Sequence, residues 1–147
     1  MANLTKVTIS INQPVETVWE KLMNPDNLKF WLTGFISAEH VSGEYGKPGA
    51  ISKLKFKERG KEMEVTETVT AIKPNQQYSF TMTSTTFNVE TDIRLISFGS
   101  RTEMIQTVQF FSKQFFMKLF MPLIKGAMKK RMENELIRFK NFVEAKS

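Results

Sequence analysis

At 147 residues without a cysteine, the chain has the length of one ordinary domain and excludes disulfides and thiol chemistry. Its formal charge of +6, from 21 basic and 15 acidic side chains, allows a nucleic-acid or anionic-membrane partner but more commonly serves solubility. No apolar run is long enough to span a bilayer, and the opening MANLTKVTIS lacks the pattern of a secretion signal, so a reducing, cytoplasmic setting is expected.

In chain order, residues 6–11 alternate, with Val7, Ile9 and Ile11 on one face of a half-buried strand. Pro14 suits the first position of a helix whose buried face is Val15, Val18, Trp19 and Leu22. Asn24-Pro25 interrupts it, and Asp26 is placed to cap a second short helix carrying Leu28, Phe30 and Trp31. A strand over residues 36–41 puts Ile36, Ala38 and His40 on one face, and the glycine-rich GEYGKPG that follows reads as a wide hairpin loop. That loop is not a phosphate cradle, because no Lys-Ser/Thr follows and no helix opens after it.

Residues 51–58 set Ser52, Leu54 and Phe56 against an outer stripe of Lys53, Lys55 and Lys57, and Arg59-Gly60-Lys61 closes a hairpin. The next strand aligns Met63, Val65, Glu67, Val69 and Ala71 on one face. Glu67 is an acid in an otherwise apolar register. Tyr78, Phe80 and Met82 continue that face after the Lys73-Pro74-Asn75 turn, followed by Phe87, Val89, Thr91, Ile93 and Leu95. Beyond Gly99-Ser100, a last strand points Met104, Gln106, Val108 and Phe110 inward.

From Ile124 to Val143, apolar residues recur every three or four positions through Met128, Met132, Leu136 and Phe139, which is one face of a long helix. Pro122 forbids a straight continuation back to Lys113, so residues 113–121 form a separate segment. The order is β-α-α-β-β-β-β-β-β-α, with short turns and therefore antiparallel strands, in a single domain over residues 1–147.

This order, with INQPVETVWEKLMNPDNLKFW, GEYGKPG, VTETVTAIKPNQQYSF and the terminal LIRFKNFVE, resembles the START-like (SRPBCC) superfamily. Within it, the chain is most similar to the bacterial polyketide cyclase/dehydrase and lipid-transport group. The resemblance covers about residues 6–144 and implies an α+β helix-grip fold. In that fold a curved antiparallel β-sheet, with two short helices near the N-terminus, wraps around the long C-terminal helix and leaves an internal apolar cavity. It does not imply one chemistry.

Thirteen Phe and nine Met against two Tyr and two Trp suit a malleable apolar interior. Trp31, Phe56, Met63, Val65, Phe80, Met82, Val89, Ile93, Met104, Phe120, Ile124 and Met128 are therefore expected to contact a ligand, although periodicity alone does not separate a cavity wall from a packed core. Glu67 is the polar candidate: in an apolar cavity its pKa would rise, making it an acid or a hydrogen-bond partner. The plainer alternatives are a salt bridge to a neighbouring base or a register that turns it to water. His40 is the sole histidine, so neither a nitrogen/sulfur metal site nor a Ser-His elbow is supported. His40 remains a candidate proton carrier at the cavity mouth.

No metal or cofactor is expected. Nucleic acid is not expected as a partner, because the lysine stripe has no interleaved aromatics. Phe115, Phe116, Leu119 and Phe120, among Lys113, Lys118 and Lys125, suit transient contact with an anionic membrane, or a gate to the cavity. Carriage of a small hydrophobic ligand is the expected function, with a cyclase or hydrolase using Glu67 or His40 as the alternative.

Overall fold

The computed structural model describes residues 4–113 and 119–145. Its elements are β1 (Leu4–Ile11), α1 (Val15–Met23), a 3-10 turn (Pro25–Asn27), α2 (Leu28–Trp31), β2 (Phe35–Ser42), β3 (Ile51–Glu58), β4 (Lys61–Lys73), β5 (Gln77–Thr83), β6 (Phe87–Phe98), β7 (Arg101–Ser112) and α3 (Met121–Glu144). The strands form one antiparallel sheet in the order β1-β7-β6-β5-β4-β3-β2. Every connection between β2 and β7 is a hairpin, and the long step from β1 to β2 carries the small helices. The sheet is curved around α3, giving the helix-grip α+β fold.

Local chemistry sets the ends of these elements. Arg59 and Gly60 have φ of 52° and 78°, the two left-handed residues that a tight β3–β4 hairpin requires. Pro14 stands at the N-cap in extended backbone, not inside α1 as expected. Its carbonyl accepts from the Thr17 and Val18 amides at 3.0 and 3.1 Å. Asn24, not Asp26, caps the following turn, its Oδ1 accepting the Asp26 amide at 2.9 Å. α3 begins at Met121, earlier than the Ile124 expected, because Pro122 falls in the first turn where a missing N–H costs nothing.

Register shifts in β4 and β2 change which residues face inward. In β4 the pairing jumps from Val69–Phe80 to Ala71–Ser79, so one extra residue is accommodated. Ile72, rather than Ala71, then continues the inner face. In β2 the step from Phe35–Phe56 to Ser37–Lys55 bypasses Ile36, which is exposed. Phe35 takes the inward position and packs edge-on against Phe56 at 6.0 Å.

The interior divides in two. Around the second half of α3, Met132, Leu136, Phe139 and Val143 pack with Ile11, Val18, Leu22, Trp31, Ile93 and Met104 into a solid core. Trp31 meets Phe139 edge-to-face at 5.0 Å. A smaller cluster of Leu54, Phe56 and Val65 lies on β3 and β4, fringed by Leu32, Phe35, Met63, Met82 and Phe87. Between the clusters the first third of α3, from Met121 to Met128, has no buried residue.

Candidate functional site

That division leaves a cavity of about 1400 Å³ between the inner face of the sheet, α2 and the first turns of α3. It exceeds the several hundred Å³ typical of small-molecule pockets. Trp31, Phe56, Met63, Val65, Glu67, Phe80, Met82, Val89, Ile93, Ile124 and Met128 line it. Their convergence follows from period two along each strand, from the bulges that preserve it, and from the four-residue spacing of Ile124 and Met128.

Three expected positions fall elsewhere. Met104 is fully buried and belongs to the solid core with Leu136 and Phe139. It points to the correct face of β7, but at a level where α3 already fills the space. Phe120 is 52% exposed and does not line the cavity. His40 is exposed and absent from the lining; its Nε2 donates to the Gly43 carbonyl at 2.8 Å, and its ring meets Tyr45 edge-on at 5.8 Å. The neighbouring loop carbonyl satisfies the imidazole outside the cavity.

Glu67 lies on the inner face of β4, in the middle of the apolar wall. It pairs across the ladder with Ser52 on β3 and Met82 on β5. Its hydrogen-bond partner is the Tyr78 hydroxyl, which donates to Oε1 at a long 3.4 Å. Among the described residues no basic side chain forms an ion pair with it. Burial in this apolar surround pushes its pKa up to about 7, against the opposing pull of the Tyr78 hydrogen bond. The phenol of Tyr78 is pushed well up, first by burial and then by the Glu67 charge. Tyr45, in the β2–β3 loop, is raised by burial and by the charges of Glu67 and Asp26. Its hydroxyl reaches the Met23 carbonyl at 3.4 Å.

Alternation turned Ser52, Thr91 and Gln106 inward without marking them as ligand contacts, and it did not place Tyr45. Tyr45, Ser52, Thr91 and Gln106 also face the cavity. The Nε1 of Trp31 and Oε1 of Gln106 are buried there without a hydrogen-bond partner. Alternation had marked Gln106 as inward, but its polarity drew no attention beside Glu67.

The rim near the β3–β4 turn is charged. Lys57, Glu58, Arg59, Lys61, Lys130 and Arg131 gather there. Arg131 pairs with Glu58 and donates to the Thr33 carbonyl at 3.2 Å, while Glu135 Oε2 accepts the Thr33 amide at 2.8 Å and Arg131 Nε at 3.3 Å. Arg138 adds bonds to the Trp31 carbonyl at 3.2 Å and to Thr33 Oγ1 at 2.5 Å. Only the Arg131–Glu135 spacing of four was legible beforehand; the other partners are about 70 to 110 residues away.

The expected gate, residues 113–121, lies partly outside the described residues, at 114–118. Of its described members, Lys113 donates to the Ser84 carbonyl at 2.7 Å, and Leu119 is 78% exposed. Among the described residues no group of three or more metal-ligating side chains gathers, and no helix is long and apolar enough to cross a membrane.

Solved structures share this architecture. A START superfamily protein from Mycobacterium smegmatis aligns with a TM-score of 0.80 at 14% identity, covering 96% of this chain and 97% of that one. The Zhui aromatase/cyclase from a Streptomyces species aligns at 0.80 and 13% identity, covering 96% and 93%. A conserved protein from Geobacillus kaustophilus aligns at 0.78 and 18% identity, covering 95% and 94%. At these identities the likeness is one of fold. No curated protein sequence matches this chain significantly. The sequence itself, from residue 4 to residue 144, matches the family described as polyketide cyclase / dehydrase and lipid transport, and with the fold and cavity in place the chain belongs to that family.

Proposed function

We propose that this protein binds or carries a small hydrophobic ligand, a lipid or polyketide-like molecule, without transforming it. The observation that carries the reading is the cavity: about 1400 Å³, walled by Phe, Met, Val, Ile and Leu, with one weakly partnered carboxyl group. Burying apolar ligand surface there supplies affinity at about 25 cal/mol per Å², less the ordering of the ligand and of the flexible methionines. Mass spectrometry of solvent extracts from the purified protein tests this directly. A recovered lipid or aromatic molecule that raises the melting temperature on re-addition supports carriage. An empty extract, with no thermal shift across a hydrophobic panel, counts against it.

A membrane-contacting version of the carrier rests on the start of α3. Phe120, Leu119 and Leu123 are 52%, 78% and 74% exposed, and Lys125, Lys129 and Lys130 follow on the same exposed stretch. Such a pattern suits acyl chains beside anionic headgroups. Sedimentation with phosphatidylglycerol vesicles is expected to exceed that with phosphatidylcholine vesicles, and equal partition would remove the membrane step.

The second reading, a cyclase or hydrolase on the same scaffold, is favoured by the Glu67 pKa near 7, which suits proton exchange at neutral pH. His40 is not its partner in such a step, since it lies outside the lining. Turnover abolished in Glu67→Gln with ligand binding retained would support catalysis over carriage.

A further inference from the structure

The polar groups of the cavity are arranged by position and by hydrogen-bonding type. Glu67 pairs with Ser52 at the start of β3, while the charged rim begins at Lys57 and Glu58 at its end. Six residues of strand separate Ser52 from Glu58, roughly 20 Å at about 3.3 Å per residue. Glu67 and the charged rim, where Arg131 is already paired with Glu58 and Glu135, thus mark opposite ends of a long apolar space.

At the Glu67 end, two acceptors are poorly satisfied. The carboxyl group receives one long bond, from Tyr78 at 3.4 Å. Gln106 sits in the same ladder row as Tyr78 through Ile93; it is 8% exposed, and its Oε1 is buried with no partner. The titratable groups around Glu67 are Tyr78 from β5 and Tyr45 from the β2–β3 loop, with Asp26 of the 3-10 turn acting on Tyr45. Ser52 stands opposite from β3, and none of these groups is a base.

An apolar ligand filling this end would strip water from Glu67 and give nothing back, which is the costly way to bury an acceptor. A ligand carboxylate would place two acids together. A hydroxyl or ammonium group would donate into the vacant lone pairs, with the tyrosine rings beside it. Resting on the ligand-carrier reading above, the geometry points to a specific ligand class. The cavity selects apolar molecules whose buried terminus donates a hydrogen bond (alcohols, phenols or protonated amines) and disfavours carboxylates at that end. A carboxylate held instead at the charged rim stays clear of Glu67, and binding there is recognised by its indifference to Glu67→Gln.

Calorimetric titration of the full chain with 1-decanol, decylamine and decanoate tests this with one chain length and three headgroups. At about pH 8 the alcohol and the amine are expected to bind about tenfold tighter than decanoate, the scale of one charge-assisted or buried hydrogen bond. Glu67→Gln is expected to cut decylamine affinity about tenfold and to bring decanoate within about threefold of decanol. Tyr78→Phe, which removes the donor that competes with the ligand, should widen the preference and provides a second route if the first variant folds poorly. Equal affinities for the three ligands, or a preference that survives Glu67→Gln, overturn this inference alone. Failure of all three to bind overturns it together with the carrier reading.

Discussion

The Tyr78 hydroxyl donates to Glu67 Oε1 at 3.4 Å, a bond too long to offset the burial of that carboxyl group. Glu67 therefore keeps its proton to about pH 7, whereas an unfolded glutamate releases it near pH 4.3. Between those values the folded state holds the extra proton. Glu67 thus adds stability fully at low pH and loses it as the pH rises through about 7. Glu67→Gln is expected to stabilise the ligand-free protein above pH 7, by on the order of 1–3 kcal/mol. The gain should vanish below about pH 4.5, as read from urea midpoints across a pH series.

Glu135 is buried on α3 and holds both the Thr33 amide and the Arg131 guanidinium. Glu135→Ala leaves that amide and Arg131 without their acceptor and is expected to cost about 2–3 kcal/mol in chemical denaturation. Glu58→Ala removes only a half-exposed partner of Arg131 and should cost less than about 1 kcal/mol. Equal losses would place the binding energy of this junction in the ion pair rather than in the buried acceptor.

Gly34 has φ of +70°, and a Cβ there would lie 2.4 Å from the Lys57 carbonyl oxygen. Its own carbonyl accepts the Lys57 amide at 2.7 Å, tying the loop after α2 to the end of β3. Gly34→Ala is expected to lose at least about 2 kcal/mol, because both the dihedral and the contact oppose it. A melting temperature within a degree or so of the parent would refute that account.

Core and wall should respond differently to truncation. Phe139→Ala opens a void in close-packed surroundings and is expected to cost about 3–5 kcal/mol. Met82→Ala enlarges an existing cavity and should cost under about 2 kcal/mol while weakening ligand retention. Thermal denaturation paired with a ligand-displacement assay separates the two effects.

Much of this architecture was legible. Alternation placed Ser52, Leu54 and Phe56 correctly, and the four-residue spacing through Leu136 and Phe139 located the gripped helix. The β-bulges were not, since an extra residue in β4 leaves no trace in composition; Ala71 was taken as inward where Ile72 is. Within the site, Glu67 stood out as an acid in an apolar register. Met104 shows the limit of such reasoning: periodicity gives the face of a strand but not what covers that face at each level. His40 follows the plainer of its two readings, a surface histidine held by a hydrogen bond, although its Gly43 partner depends on a loop conformation that no spacing rule supplies.

The unequal halves of α3 imply two separate clocks within one helix. Backbone amides around Leu136 and Phe139, enclosed by α1, α2 and β1, should exchange with deuterium only when the whole domain opens. Those from Ile124 to Met128, where no side chain is buried, should exchange by local fraying at a far lower free energy. A filled cavity would slow the second clock and leave the first unchanged. Protection at the start of the helix would then report occupancy even when the ligand itself is invisible.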